Sequence, residues 1–542
     1  MRLAFPEQAV PPTISPGALA PSTARAGILR PGSSIRPLLA PMAAAWLVNV
    51  GVAILLFGPA FRVYDAGFLP DSPFLRNAAF ALAPDALLRA PASGLGALLS
   101  TLVYVVLATL AVASWCWAMR IARSVELASV WPLIAISALV LTPLLGHPAL
   151  LSDDLYLYDL YGRTISVYGA NPIVTAPSSF VNDPHLHWVH WKNLPSSYGP
   201  IWLMLSGVLS GIGGDSITTV VIVYRAAGAV LHLAIIAVVW HLLRAGRRRT
   251  AVAETLFYAW NPLVLLEVVG NAHNDVLVAL FAVLLVAAAA QRAWLSAAFF
   301  GACAVLVKPF ALLLVPGLAR QIFHRTRGAL RLRWLAAATS VGVATVVIVS
   351  LPLWAGTSLM TNVLKNPAAT MYTNSVWELM SEAGPAWFGV GTSAIQHPYL
   401  DVLRGAAFLG AALWVLTRRS SRRDVPQVAL RLWIVFCVTA CWVWPWYFVP
   451  AIALAPLAGS ARLPLSAGLT VGGLLFWTAW PEPRPTPLEW LYPWRSVVLF
   501  GPLLLASWAP ARSRIFVVLG VRRHLGRRTH DSIDRQLQTA AG

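Results

Sequence analysis

The sequence predicts an all-α polytopic membrane protein. Its 542 residues are 58% hydrophobic and only 11% charged, against about 25% charged in a soluble domain. The apolar residues gather in repeated runs near the length of a membrane-spanning helix. Between those runs stand clusters of arginine, the pattern of cytoplasmic loops under the positive-inside rule. The net charge of +19 therefore belongs to loops rather than to a nucleic-acid surface, and no nucleic-acid partner is expected. Short alternating strands, the mark of a transmembrane barrel, are missing from the sequence.

In chain order, residues 1–36 are rich in Pro, Ser and Ala and carry Arg25, Arg30 and Arg36. They predict a disordered cytoplasmic tail. A single transmembrane domain is expected over 37–511, and a basic cytoplasmic tail over 512–542. The first span is 38–58, followed by a semi-polar outer loop, 59–93, and a return over 95–118 to Arg120 and Arg123. Residues 130–146 cross outward into a long outer loop, 147–200. Loops of that length in a compact protein are usually functional. The run 201–213 has about 13 residues, too few to span at ~1.5 Å each, and reads as re-entrant or interfacial.

Residues 217–243 return to Arg244, Arg247, Arg248 and Arg249. The segment 252–270 goes out, interrupted at Asn261-Pro262, and 276–290 comes back to Arg292. Residues 294–319 must form a hairpin of two short helices broken at Lys308-Pro309, because Arg320, Arg325, Arg327, Arg331 and Arg333 also belong inside. Residues 334–353 lead to a second outer loop, 354–400, and 401–417 return to Arg418, Arg419, Arg422 and Arg423. The pairs 428–446 with 448–460 and 464–480 with 496–511 complete about 14 membrane segments. No internal repeat is visible. This threading places Asp153, Asp154, Asp275, Lys308 and the segment Trp444–Tyr447 on the face opposite the arginines.

The polar residues that interrupt this apolar chain are few. Asp153 and Asp154 leave an apolar run beside Tyr156, Tyr158 and Asp159. Adjacent acids repel, which raises one of the two pKa values. They are either catalytic carboxylates or a helix cap with a surface acid. Arg163 either pairs with Asp159 or grips a phosphate through two hydrogen bonds. Gly169-Ala170-Asn171-Pro172 is a turn, in which Asn171 is either a ligand or a shaping residue.

The run His185–Trp191 matches no familiar zinc spacing and fits an aromatic acceptor surface better. Ser197-Tyr198-Gly199-Pro200 re-enters the membrane. Arg225, inside an apolar helix, either serves function or snorkels to the headgroups. Asn271, His273, Asn274 and Asp275 open a helix, where a polar group either caps the end or adds to an anion site. Lys308 is the most isolated charge, before a helix-breaking proline. It calls for a salt bridge such as Asp275, an anionic ligand, or both.

Trp442–Tyr447 is an aromatic cluster at a helix break, and Glu378 a spare acid in the second outer loop. Cys116, Cys303, Cys437 and Cys441 lie in apolar segments, with Cys437 and Cys441 expected on one helix face in a packing role.

Taken in order, Ser152-Asp153-Asp154-Leu155-Tyr156-Leu157-Tyr158, Gly169–Pro172, Tyr198-Gly199-Pro200, Trp260-Asn261-Pro262-Leu263, Asn271–Asp275, Lys308-Pro309 and Trp444–Phe448 resemble one family. They are similar to bacterial GT-C glycosyltransferases, in particular the polyprenol-phosphate-mannose-dependent α-1,6-mannosyltransferases of mycobacteria and their relatives. The resemblance implies a multi-helix fold and a polyprenyl-phosphate sugar donor. Joined to the threading, it sets the expectation of an inverting transferase with a glycan or glycolipid acceptor at the outer face of the bacterial cytoplasmic membrane.

The family's acidic motif, an Asp followed by an apolar residue, Tyr, any residue and Tyr, falls on Asp154. That makes Asp154, ahead of Asp153, the expected base. Arg163, Asn171, Tyr198, Arg225, Asn271, His273, Asn274, Asp275 and Lys308 are the expected substrate-binding set. Ile173 stands where the family often has Tyr after Asn-Pro, so sugar contacts at that turn are expected to differ. No redox cofactor is required, and a divalent metal is compatible with the residues but not demanded by them. The rival expectations are a GT-C transferase using a glucosyl, arabinosyl or other pentosyl donor, a lipid-linked sugar transporter, and a catalytically inert scaffold.

Overall fold

A computed structural model describes residues 34–57, 95–145, 151–246, 250–388, 397–418, 424–480 and 489–508. The expected outer loop 59–93, Arg247–Arg249, Arg419, Arg422, Arg423 and nearly all of both tails lie outside the described residues. The described chain is mostly helical, with a lone parallel bridge between Thr373 and Trp442 and no strand among the described residues. The all-α expectation holds.

The helices are α1 (Leu39–Phe57), α2 (Leu95–Ala122), α3 (Trp131–Leu145), α4 (Asp154–Ser166), α5 (Pro200–Gly213), α6 (Ile217–Gly246) and α7 (Ala251–Ala259). Then come α8 (Asp275–Ala290), α9 (Trp294–Val305), α10 (Val315–Arg325), α11 (Gly328–Ser350), α12 (Ser358–Lys365) and α13 (Val376–Phe388). The last are α14 (His397–Thr417), α15 (Asp424–Thr439), α16 (Val449–Ala458), α17 (Leu463–Ala479) and α18 (Arg495–Trp508). Among the described residues six helical stretches are long and apolar enough to cross a membrane: Arg36–Leu55, Thr101–Ala122, Ile217–Gly246, Ala251–Gly270, Gly328–Leu353 and Pro398–Thr417. Six shorter apolar helices accompany them.

Burial sorts these stretches into centre and rim. Ala251–Gly270 is 100% buried, whereas Gly328–Leu353 is 11% and Pro398–Thr417 17% buried. The first is the hub of the domain; the other two turn exposed apolar faces outward, as lipid-facing helices do. The core joins α6, α7, α8, α16 and α17 around that hub.

The hub is not a regular helix. After α7 the chain breaks at Asn261-Pro262. The Asn261 carboxamide accepts from the backbone N–H of Leu263 and Val264 at 3.1 and 3.2 Å and donates to Thr470 Oγ1 at 2.8 Å. Pro262 is tolerated because its missing N–H falls in a first turn. We expect Asn261→Ala to destabilise the protein by about 1–2 kcal/mol, read as a lowered melting temperature in detergent. The next stretch, Leu265–Gly270, is a π-helix, a form that recurs at functional sites.

The helix α4 lies against α5 at Gly162, where an added Cβ would meet Ser206 O at 2.4 Å and Ser210 Oγ at 2.2 Å. A glycine is needed for that approach. One expected element differs. The span 428–446 stops as a helix at Thr439, and 440–444 runs extended against Thr373. Pro445 is the physical reason, since the residue before a proline is pushed out of the α region, and Trp444 has φ −129° and ψ 158°. Cys441 therefore leaves the helix face that carries Cys437, and its Sγ lies 3.3 Å from Ala368 O.

Candidate active site

Four chain segments meet around one cavity of about 1000 Å³; the first, third and fourth line it, and the second is buried behind Asp154. The first is the start of α4. Asp153 occupies the N-cap position and Asp154 the first helical position. Asp154 Oδ2 accepts from the Tyr158 hydroxyl at 3.2 Å, and its side chain remains 19% exposed. Asp153 turns the other way and accepts from the backbone N–H of His190 at 3.1 Å, pinning the loop. Both line the cavity.

The second segment is the turn Asn271–Asn274, which reverses the chain between the π-helix and α8. The reversal puts Ala272 at φ 56°, buried. A left-handed alanine stores strain, as functional turns often do. It lifts His273 between two carboxylates. Nδ1 lies 3.6 Å from Asp154 Oδ2, and Nε2 lies 3.4 Å from Glu267 Oε2. These are ion-pair separations, longer than closed hydrogen bonds. Trp446 stacks on the imidazole at 3.7 Å.

Glu267 is fully buried and accepts from Trp477 Nε1 at 2.8 Å and Asn271 Nδ2 at 3.0 Å. Asn271 Oδ1 accepts in turn from Leu151 N at 2.9 Å. Asn274 stands at the N-cap position of α8 but makes no capping bond with its side chain; its Oδ1 lies 3.4 Å from the Tyr158 hydroxyl.

The third segment carries Lys308. Its backbone, φ −139° and ψ 123°, is what the following proline imposes. Nζ donates to Asp275 Oδ2 at 2.6 Å, with the two side chains 5% and 0% exposed. Three rings surround the ammonium, Tyr447 at 5.2 Å, Phe310 at 5.7 Å and Tyr198 at 5.9 Å, close enough for cation–π attraction.

Tyr198 is held there by backbone pairing. Gly199 N donates to Val307 O at 3.0 Å and Ile201 N to Leu306 O at 3.1 Å. A Cβ on residue 199 would sit 2.0 Å from Leu306 O. Gly199→Ala should therefore push Tyr198 and Lys308 apart, lowering transfer more than it lowers the yield of folded protein in detergent chromatography.

The fourth segment contributes Trp442, Trp444, Trp446 and Tyr447 to the lining.

Other residues of the expected set lie apart from the cavity. Arg163 is buried and committed to Asp183 Oδ2 at 2.7 Å, Asp215 Oδ1 at 2.9 Å and Gly214 O at 2.9 Å. Its acidic partners are thus Asp183 and Asp215 rather than Asp159. Asp159 instead pairs with His185 at 2.6 Å. Asn171 shapes its own turn, accepting from Ile173 N at 3.0 Å and donating to Leu353 O at 3.1 Å. Arg225 is fully buried and donates through Nε to Gly270 O at 2.7 Å, bracing the end of the π-helix.

The His185–Asp159 pair sets a pH dependence for the loop. Burial opposes charge on His185, but the Asp159 carboxylate outweighs it and raises the histidine above its ordinary 6.5. A raised value in the folded state means that this stabilisation is complete below pH 6.5 and fades as pH climbs through the raised value. A melting temperature that falls over that interval, and a flatter profile in His185→Gln, is the expected result.

Glu267 belongs to none of the sequence motifs, yet it meets His273, Asn271 and Trp477. An acid within the apolar run Leu265–Gly270 is a functional signal by itself. Among the described residues no group of three or more His, Cys, Asp or Glu is arranged to hold a metal ion.

Residues 43–324 match the family model described as alpha-(1->6)-mannopyranosyltransferase, N-terminal domain. That is more than half of the chain. The chain belongs to the alpha-(1->6)-mannopyranosyltransferase family. A probable alpha-(1->6)-mannopyranosyltransferase of Mycolicibacterium smegmatis is 30% identical over 143 residues, 25% of this chain and 24% of that relative. Alpha-(1->6)-mannopyranosyltransferase B of Corynebacterium glutamicum is 29% identical over 140 residues, 24% of this chain and 22% of the relative.

These two alignments thus span about a quarter of the relatives' lengths. Alpha-(1->6)-mannopyranosyltransferase A of the same organism is 24% identical over 351 residues, 58% of this chain and 68% of the relative. The mannopyranosyltransferase match contains Asp154, Glu267, His273, Asp275 and Lys308, while Trp442–Tyr447 lies beyond it.

Proposed function

We propose that this chain is a membrane mannosyltransferase. It moves a mannosyl unit from a polyprenyl-phosphate donor to a hydroxyl of a glycan or glycolipid acceptor, at the outer face of the cytoplasmic membrane. The observation that carries the reading is that Asp154 and Lys308, far apart in sequence, line one cavity. A general base and a cation for a departing phosphate thereby share one space.

In this reading Asp154 takes the proton of the acceptor hydroxyl. The freed oxygen attacks the anomeric carbon from the face opposite the phosphate. The bond between that carbon and the phosphate oxygen breaks, and its electron pair leaves with polyprenyl phosphate. The result is inversion. Lys308 and its ring cage face the phosphate charge that grows as the bond breaks, a kind of contact often worth ~3 kcal/mol. His273 holds Asp154 in place from behind, itself steadied by Glu267. The polyprenyl chain fits the apolar flank of the cavity, formed by Val363, Leu364, Met371, Phe408 and Phe436. Arginine clusters on one side of the threaded chain support an outer-face site.

The test is transfer by the purified full chain in nanodiscs. Mannosyl, glucosyl and arabinosyl polyprenyl phosphates are offered with a mannoside acceptor, and products are read by mass spectrometry. Mannosylated acceptor is the expected product. Label that crosses liposomes without ever joining an acceptor would replace the transferase with a transporter.

A further inference from the structure

One wall of the cavity leads away from Asp154 as a run of aromatic rings. Trp446, stacked on His273, is followed by Trp444 at 4.9 Å, Trp480 at 4.8 Å from Trp444, and Tyr492 at 5.8 Å from Trp480. Trp446 is buried, while Trp444, Trp480 and Tyr492 keep part of their surface open and line the cavity.

At the far end the lining becomes polar. Arg495 lies 3.8 Å over the Tyr492 ring. It is fastened to Glu378, to Asn374 Oδ1 at 3.2 Å and to Tyr492 O at 2.6 Å. Glu382 is 50% exposed, 3.8 Å from Arg495, and Arg404, paired with Asp401 at 3.2 Å, also lines the cavity.

We propose that this wall is a distal acceptor subsite, which binds the second and further sugar units of an oligosaccharide whose terminal unit lies at Asp154. The proposal rests on the transferase reading of the site. Its chemistry is that of a saccharide. Sugar C–H faces pack on open aromatic rings, and hydroxyls hydrogen-bond to carboxylates and guanidinium groups. A hydrocarbon chain would desolvate Glu382 and Arg404 with no return, so the lipid belongs on the apolar flank instead. The wall is built by Trp444, Trp480, Tyr492 and Arg495, all beyond the stretch matched to the family model.

The experiment uses the full chain in nanodiscs with α-1,6-mannotriose, mannose and maltotriose as probes. Binding is read by tryptophan fluorescence and calorimetry, with no donor present. Mannotriose should bind about tenfold tighter than mannose, the worth of one or two good stacking contacts, and tighter than maltotriose. Trp480→Ala and Glu382→Gln should each erode that advantage. In transfer assays they should raise KM for a trimannoside acceptor well beyond any change for a monomannoside. Glu382→Gln replaces a half-exposed side chain and keeps the test open if Trp480→Ala misfolds.

Equal binding of mannotriose and mannose by the native chain, or an unchanged advantage in both variants, overturns the subsite. Mannotriose binding without transfer from any donor would leave the subsite standing and remove the transferase reading. Transfer to mannose without mannotriose preference would do the opposite.

Discussion

Asp154→Asn is expected to lower mannosyl transfer by roughly 10²- to 10⁴-fold, the usual contribution of a positioned general base. The substitution keeps shape and size. The Asn carbonyl oxygen can still accept from the Tyr158 hydroxyl, which lies 3.2 Å from Asp154 Oδ2, so the start of α4 should be kept. What is lost is the acceptor for the substrate proton. Transfer measured by mass spectrometry, beside an unchanged elution profile in detergent, checks both halves. Asp153→Asn is the internal control. Asp153 holds the backbone N–H of His190, so its loss should weaken the loop more than the chemistry. If Asp154→Asn retains native rates, another group takes the proton and the assignment falls.

Lys308→Met should produce the largest loss of stability among the site variants. The Lys308–Asp275 pair is closed at 2.6 Å and almost wholly buried. Removing one partner strands the other charge, at a cost of about 3–5 kcal/mol. Asp275→Asn strands the ammonium and should cost a similar amount. The double variant Lys308→Met/Asp275→Asn removes both charges and should regain most of the melting temperature in detergent. Activity should not return with it, because the cation beside the departing phosphate is gone. Recovery of stability without activity is the outcome that separates a functional lysine from a purely structural one. A double variant as active as the native chain would assign Lys308 to structure alone.

Much of this site was visible in the residue order, and for a local reason. Lys308-Pro309 and Trp444-Pro445 each combine a charge or ring with a proline that must break a helix. A broken helix inside an apolar domain has to face protein or a cavity. Asp153-Asp154 and Asn271–Asp275 stood out because each crowds polar groups where apolar residues surround them. Glu267 carries the same signal more faintly, being a single acid without a neighbouring motif. Its partners, Trp477 and His273, meet it only through the π-helix and the left-handed turn at Ala272. Arg163 shows the limit of reading near neighbours. The residue order leaves it open between pairing with Asp159 and gripping a phosphate, whereas the fold brings Asp183 and Asp215 to it and gives Asp159 to His185.

Sequence alone determined the helical membrane class, the proline breaks and the short set of polar residues worth explaining. Each of these follows from local chemistry: apolar length, the geometry forced by proline, and the cost of a charge in hydrocarbon. Only the tertiary structure decided which charge meets which, that Asp154 and Lys308 share a cavity, and that Trp446, Trp444, Trp480 and Tyr492 form one wall. Such pairings depend on distances of a few ångströms between segments remote in the chain, and the energy of a buried charge or a stacked ring is decided at that range.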